Sequence, residues 1–187
     1  MSANDLEQPL RTRPLYRREY EALVAQDFFA DEDIELLDGQ IVLLAEEGPP
    51  HAGVGSRMAR MLIEGVPAQE GEVRVGSPLG ISDLSQPQPD FAVVQPRPSY
   101  RAAHPTTASL VIEVADSSRR TDLGLKAVLY AAAAISDYWV VDLTRDEIVV
   151  HREPAGRTFG SITRHRDGEV RALHHPGVVI DVRDLLR

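Results

Sequence analysis

The stretch Leu110-Val111-Ile112-Glu113-Val114-Ala115 determines how this chain is interpreted. All of its side chains except that of Glu113 are apolar, and a short apolar run of this length predicts a buried strand. A carboxylate among apolar neighbours is costly, because burial raises its pKa or forces it to find a partner. Glu113 therefore predicts a functional site next to this strand, unless it points outward from an edge strand.

A second acid opens an apolar run upstream. Asp90 follows Pro89 and precedes Phe91-Ala92-Val93-Val94. If the two strands are neighbours in one sheet, both carboxylates can reach one divalent cation at the strand ends. Carboxylate oxygens suit Mg²⁺, with Mn²⁺ as a possible substitute, and such an ion can polarise a phosphoryl oxygen. The alternative is that Asp90 only caps a turn after Pro89.

Lys126 is the only lysine among the 20 lysine and arginine residues of the chain. A site that keeps lysine here needs a compact ammonium, which arginine does not supply. As a catalytic group, this ammonium would stabilise a charged transition state or orient the attacking water. The alternative is a solvated ion pair with Asp122, which lies four residues earlier on the same helix face as Lys126 and Tyr130. The apolar residues of this helix fall mainly on another face, which we expect to pack on the sheet: Leu125, Val128, Leu129 and Ala132.

The rest of the pattern predicts a flexible N-terminal lead over 1–15 and a single domain over 16–187. Asp38-Gly39 predicts a tight hairpin turn, because this dipeptide tolerates positive φ. The alternation of helices and strands indicates an α/β sandwich around a mixed sheet. The other expected elements are helices over 16–29, 54–66 and from Ser117-Ser118 to about 134, a strand pair over 72–81 bent at Gly76, a hairpin over 138–151 and short strands beyond 158.

The composition restricts the classes of function. The 187 residues are 43% hydrophobic, which is typical of a globular domain. Cysteine is absent, which excludes disulfides and thiolate zinc sites. We expect a cytoplasmic protein without a membrane span, since no apolar stretch is long enough to cross a bilayer and no signal peptide is recognisable. The net charge of −9 argues against coating nucleic acid by bulk attraction, but it allows binding in a local cleft.

Pro89-Asp90, Glu113-Val114-Ala115 and Lys126, in this order, resemble the PD-(D/E)xK nuclease superfamily. Within it, the chain resembles the Uma-two family of restriction-endonuclease-like proteins over about 16–151. The resemblance implies a restriction-endonuclease-like mixed β-sheet flanked by helices, with additional β-hairpins. It also implies a Mg²⁺-dependent endonuclease that acts on nucleic acid, with DNA as the favoured substrate, and that forms a homodimer.

The resemblance assigns roles to particular residues. Asp90, Glu113 and Lys126 would be catalytic, and Asp90 and Glu113 would hold the metal. Glu35, which otherwise reads as a surface charge of the hairpin, would be a further metal ligand or would orient water. One position departs from the superfamily pattern, because Ala115 stands where a lysine is usual. Either Lys126 supplies the amine from the helix, or the protein is an inactive nuclease-fold module that binds nucleic acid or protein.

Two further sets of residues are candidates for phosphate contacts. His51 precedes the helix that carries Arg57 and Arg60, and it is a candidate for contact with a phosphate. Arg119-Arg120, just beyond the Glu113 strand, would either hold flanking phosphates or form a solvated helix start.

Overall fold

A six-stranded mixed sheet forms the centre of the computed structural model, which describes residues 12–97, 99 and 103–187. Residues 1–11 of the expected lead therefore lie outside the described residues. In chain order the elements are α1 (Arg17–Val24), β1 (Ile34–Leu37), β2 (Gln40–Leu43), α2 (Pro49–Gly65), β3 (Glu72–Val75), β4 (Phe91–Val94), β5 (Leu110–Ala115), α3 (Arg119–Thr121), a π-helical turn (Asp122–Lys126), α4 (Ala127–Ala132), β6 (Asp137–Asp142), β7 (Glu147–Ala155), β8 (Thr158–His165), β9 (Glu169–Arg171), β10 (Val179–Asp181) and α5 (Val182–Leu185).

The strands of the central sheet lie in the order β3-β4-β5-β6-β7-β8. Only β5 and β6 are parallel, and the crossover between them contains α3, the π-helical turn and α4. The other neighbouring pairs are antiparallel. Two separate two-stranded pairs, β1 with β2 and β9 with β10, complete the fold. The predicted fold class, a mixed sheet flanked by helices with additional hairpins, is confirmed.

Apolar side chains cover both faces of the sheet. On one face α2 packs through Val54, Met58 and Leu62, together with residues of β9, β10 and α5. On the other face α4 packs through Ala127, Tyr130 and Ala131. Because successive side chains of a strand point to opposite faces, Glu113 lies on the α4 face of β5. The strand therefore directs its one acid towards the helix that follows the π-helical turn.

The predicted hairpin is confirmed. β1 and β2 are antiparallel, with Leu37 opposite Gln40. Asp38 and Gly39 have φ values of 49° and 78°, as a two-residue turn with two left-handed residues requires.

Four predicted elements differ from the structure. The helix expected from Ser117-Ser118 to about 134 consists of α3, the π-helical turn and α4, which ends at Ala132. Helix α1 ends at Val24, and α2 begins at Pro49, since proline fits the first helical turn, where its missing N–H is not needed. The strand pair expected over 72–81 is reduced to β3. The chain leaves the sheet at Gly76, whose φ is 49°, and Leu79 bonds through its N–H to the Pro87 carbonyl instead.

The prediction of which helix face packs on the sheet was wrong for most of its residues, although Leu129 is buried. Asp122, Lys126 and Tyr130 are buried, whereas Leu125 is 37% exposed and Ala132 is exposed. The reason is electrostatic, because the buried acid on β5 requires a cation on the helix face that covers it. Among the described residues, none of the helices has both the length and the apolarity that a membrane crossing needs.

Candidate active site

Five elements bring acidic and basic side chains into one cleft region. β5 carries Glu113, and Asp90 lies immediately before β4, the neighbour of β5 in the sheet. The π-helical turn carries Asp122 and Lys126, and the first turns of α2 carry His51. The cleft is lined by these side chains together with Leu44, Ala45, Glu46, Glu47, Gly48, Gly76, Gln88, Val114, Asp116, Ser117 and Ser118. The fifth element, β1, contributes Glu35, which does not line the cleft but contacts Lys126.

Lys126 is the centre of the buried part of the site. Its Nζ lies 3.1 Å from Glu35 Oε2, 3.2 Å from Glu113 Oε1 and 3.8 Å from Asp122 Oδ1. All four residues are at most 5% exposed. Neither a solvated Lys126–Asp122 pair nor a surface role for Glu35 agrees with this burial. Glu35 is held in place by the Gln88 N–H, which donates to its Oε2 at 3.0 Å.

Glu113 shares its Oε1 between two donors. Lys126 donates to this oxygen, and the Tyr130 hydroxyl donates to it at 2.9 Å. Burial raises the pKa of Glu113 well above its usual value, and the attraction of Lys126 only partly offsets this effect. The charges of Asp122, Asp90 and Glu35 add to the increase. Burial of this carboxyl therefore disfavours its charged form, and Lys126 is the neighbour that favours it.

The pKa of Lys126 moves in the opposite sense to that of an isolated buried lysine. Burial alone lowers it, but Glu113, Glu35 and Asp122 more than compensate, so the pKa of Lys126 is raised. The side chain remains an ammonium over the whole neutral range. It can donate hydrogen bonds and stabilise negative charge, but it does not serve as a base.

Asp122 has a shifted pKa and a buried oxygen that accepts no hydrogen bond. Burial raises its pKa to about 6, against the opposing effects of Lys126 and of the hydrogen bond from Ser118. The Ser118 hydroxyl donates to Asp122 Oδ2 at 2.6 Å, whereas the buried Oδ1 has no hydrogen-bond partner. The only charged group that the structure places near this oxygen, among the described residues, is the Lys126 ammonium at 3.8 Å, which is too far for a hydrogen bond.

Asp90 is fixed by the next strand and by α2. Its Oδ2 accepts a hydrogen bond from the Val114 N–H at 2.5 Å and lies 3.4 Å from His51 Nε2. The alternative interpretation of the sequence, in which Asp90 only caps a turn after Pro89, does not account for these contacts with β5 and α2. The backbone of β5 thus orients Asp90, and the same strand carries Glu113.

His51 lies between two acids. Its Nδ1 is 3.3 Å from Glu47 Oε2, and its Nε2 faces Asp90. The interaction with Asp90 raises the pKa of His51, and burial opposes the increase. Among the described residues, Glu47, His51 and Asp90 form a group of metal-binding side chains whose ligand atoms all lie within 4.8 Å of one another. Glu113 and Glu35, which we predicted as ligands together with Asp90, are not in this group.

Arg119 contributes to the fold rather than to the cleft lining. Its Nε donates to Asp142 Oδ2 at 2.5 Å, at the end of β6. Arg120 is exposed at the helix start. Of the residues that the structure describes, those that line the cleft include no arginine, and Lys126 is the only permanently charged cation among them. The lining acids are Glu46, Glu47, Asp90, Glu113, Asp116 and Asp122.

The residues present fit a hard divalent cation. The donors are carboxylates and one imidazole, and the acids outnumber the cations. The buried Oδ1 of Asp122 accepts no hydrogen bond and lies 3.8 Å from the Lys126 ammonium, so a cation in the cleft would add to this weak contact.

Sequence reasoning missed two residues of this arrangement. Glu47 precedes α2 in a stretch without any periodic signal, and only its approach to His51 reveals it. Tyr130 was recognised as sharing a face with Lys126, but its hydrogen bond to Glu113 depends on the packing of α4 on β5. The buried acid on β5 was the one signal that pointed to such a donor.

Comparison with known proteins agrees with the family resemblance and with the fold. A family model described as "Uma2: Putative restriction endonuclease" matches residues 17–183. The chain is similar in structure to a protein from Anabaena variabilis ATCC 29413, described as a putative nuclease belonging to DUF820. The TM-score is 0.64 at 16% sequence identity, over 82% of this chain and 89% of that chain. No curated protein matches the chain.

Proposed function

The chain belongs to the Uma2 family of restriction-endonuclease-like proteins, and from this membership and the cleft we propose that it is a metal-dependent endonuclease. The observation that carries the proposal is the position of Lys126 among Glu113, Glu35 and Asp122, next to Asp90 in the same cleft. Phosphodiester hydrolysis in nucleic acid, with DNA as the favoured substrate, is the reaction class that this arrangement supports best.

Asp90 and Glu113 would hold the metal, for which Mg²⁺ or Mn²⁺ is the expected ion. A bound divalent cation would polarise a phosphoryl oxygen and lower the pKa of a bound water. Val114 supports the arrangement, because its N–H fixes Asp90. Glu35 is bonded to Lys126 and to the Gln88 N–H, so it orients the ammonium from the side of β1.

Lys126 would act as a fixed positive charge. Since its pKa is raised, it stays protonated and can donate a hydrogen bond to a phosphoryl oxygen or to the attacking water. Tyr130 and Lys126 together hold Oε1 of Glu113, which leaves the orientation of that carboxylate defined before substrate arrives. Lys126 on the helix would thus take the place of the amine that Ala115 does not supply.

A cleavage assay with the purified protein tests this proposal. The purified 187-residue chain is incubated with supercoiled plasmid DNA and with single-stranded RNA, in Mg²⁺, in Mn²⁺ and in EDTA. We expect metal-dependent nicking of DNA that Asp90→Asn abolishes. If the wild type cleaves neither polymer but binds one of them, the inactive nucleic-acid-binding module is the correct description and the proposal fails.

The homodimer expected from the resemblance is a separate part of the proposal. Cleavage of both strands of a duplex is achieved most simply by two such clefts. Sedimentation equilibrium at micromolar concentration should give twice the mass of the chain. A complex that contains one chain, in the presence of metal and DNA, would contradict the homodimer.

A further inference from the structure

We propose that three arginines at one end of the central sheet, Arg119, Arg164 and Arg166, bind the phosphate backbone of the nucleic acid beside the cleft. These three residues are called the arginine row below. The inference rests on the proposed function, because it gives the substrate a basic contact surface that the acidic cleft lacks. Its own evidence is the geometry of guanidinium groups that lie outside the cleft and are held by two buried acids.

The two acids lie side by side at the end of the sheet. Asp142, the last residue of β6, is directly opposite Glu147, the first residue of β7, and both side chains are 0% exposed. Opposite residues of an antiparallel pair point to the same face, where like charges repel each other. Ala115, the last residue of β5, is paired with Asp142 in turn, so the two acids lie next to the strand that carries Glu113.

More arginine surrounds these acids than their neutralisation requires. Arg119 donates through Nε to Asp142. Glu147 accepts hydrogen bonds from two arginines, from Nη1 of Arg164 and, at 3.2 Å, from Nε of Arg166. Three cations therefore compensate two carboxylates. This local surplus of positive charge belongs to a chain whose net charge is −9.

The exposed acids around the row do not cancel this surplus. In the turn between β6 and β7, the exposed Asp146 follows the exposed Arg145 directly. Beyond β8, Asp167 forms an ion pair with Arg183, whose Nη2 lies 3.1 Å from its Oδ2. Each of these acids thus has an arginine of its own, and the excess charge of the row remains available to an anion.

The guanidinium groups keep donors free for a ligand. Arg119 and Arg166 bind their acids through Nε, and the structure shows no hydrogen bond from their terminal amino groups to any residue it describes. The side chains of Arg119, Arg164 and Arg166 are 28%, 47% and 69% exposed. An arginine that is already oriented loses less conformational entropy on binding, and its planar fork matches the oxygens of a phosphate.

The row begins beside the cleft. Ser117 and Ser118 line the cleft and directly precede Arg119. Neighbouring strands lie about 4.8 Å apart, so the row extends away from the cleft in steps of this size over β6, β7 and β8. The phosphates of one DNA strand follow each other about every 3.4 Å along the duplex axis. The row can therefore contact consecutive phosphates next to the one that enters the cleft.

The test measures how salt weakens binding of the 187-residue chain to short DNA duplexes. Fluorescence anisotropy is recorded at a fixed Ca²⁺ concentration over a series of salt concentrations, with two duplexes of unrelated sequence. Arg119→Gln and Arg166→Gln should each reduce the magnitude of the slope of log K against log salt by about 1, since each removes one phosphate contact. The reduction should be the same for both duplexes, because phosphate contacts do not read the bases.

Each variant leaves its buried acid with a partner. Asp142 keeps two hydrogen bonds from Thr144, and Glu147 keeps Arg164. Melting of each variant verifies that it is folded.

Arg171→Gln is the matched control, because Arg171 is an exposed arginine that also pairs with an acid, Glu169. Its carbonyl oxygen accepts a hydrogen bond from Arg152, which is opposite Asp137 at the other end of β6. The control should therefore keep the wild-type slope.

Wild-type slopes in folded Arg119→Gln and Arg166→Gln would overturn the inference, and so would an equal reduction in Arg171→Gln. The two proposals fail separately. Binding that depends on the arginine row without any cleavage contradicts only the endonuclease. Cleavage of DNA whose binding ignores both arginines contradicts only the arginine row. A wild type that binds no duplex contradicts both.

Discussion

Lys126 shows how a buried charge is accommodated in this protein. Three carboxylates lie within 4 Å of its ammonium, and only one positive charge is present to balance them. Removing Lys126 from such a buried group would typically cost about 3–5 kcal/mol, because the carboxylates would be left uncompensated, whereas removing the charge of one of the three acids reduces the excess of negative charge. The group is therefore under electrostatic strain in the metal-free protein, which is consistent with the raised pKa values of Glu113 and Asp122.

Asp122 provides the residue-scale prediction. Its folded pKa of about 6 lies above the ordinary value of 3.8, so its contribution to stability is present below pH 3.8 and is lost as pH rises through about 6. Asp122→Asn removes this loss. In EDTA at pH 7.5, the variant should be more stable than the wild type by up to about 3 kcal/mol, from 1.36 kcal/mol per pKa unit.

Urea unfolding of both proteins at pH 4.5, 6 and 7.5 measures the difference. The stability gained by Asp122→Asn over the wild type should decrease as pH falls, because Asp122 of the wild type then takes up a proton. Asp116→Asn, at an exposed acid of the same cleft, is the matched control and should show no comparable gain. A difference between Asp122→Asn and wild type that does not change with pH would contradict the assignment.

At the scale of elements, the position of α2 controls the cleft, because this helix carries His51. Its C-terminal end is in close contact with the turn before β10, where a Cβ on Gly65 would lie 2.7 Å from the Gly177 carbonyl oxygen. Only glycine permits this approach without displacing backbone. The π-helical turn is different, since a Cβ on Gly124 would meet nothing within 4 Å.

These two glycines form a matched pair for a stability test. Gly124→Ala should stabilise the protein by about 0.4–1 kcal/mol, because it lowers the entropy of the unfolded chain in a compatible conformation. Gly65→Ala should destabilise it by more than about 1 kcal/mol, as substitutions that clash with backbone do. Thermal or urea unfolding checks both values. Equal effects of the two substitutions would contradict the packing of α2 described above.

The sequence predicted the elements whose signals are local. The Asp38-Gly39 turn needs only its own two residues, and the apolar runs of β4 and β5 carry their strand character within themselves. The energetic cost of burying Glu113 also indicated that Lys126 belonged to its site. The features that the sequence did not predict depend on tertiary packing. Four-residue spacing does not distinguish a π-helical turn from an α-helix. No local pattern identifies Glu47 as a neighbour of His51.

At the scale of the whole molecule, the net charge of −9 and the acidic cleft oppose the approach of a polyanion. Divalent ions in the cleft would remove part of this repulsion. We therefore expect affinity for a short DNA duplex to be weak in EDTA and to rise by about tenfold or more in Ca²⁺, a gain of about 1.4 kcal/mol. Fluorescence anisotropy at a fixed, low salt concentration measures it, and Asp90→Asn should reduce the gain. Equal affinity in EDTA and Ca²⁺ would contradict a metal-assisted binding cleft.

The central claim is that Lys126 and Glu113 act together in hydrolysis, and the rate of plasmid nicking at saturating Mn²⁺ tests it most directly. Glu113→Gln retains the shape of the side chain and removes its charge, and Lys126→Met removes the ammonium. Folding of each variant is verified by melting, and Glu64→Gln at an exposed position of α2 serves as the control. We predict that both site variants lose about 100-fold or more in rate, the usual scale for removing one preorganised electrostatic contact, while the control retains its rate. Wild-type rates in folded Glu113→Gln and Lys126→Met would contradict the account.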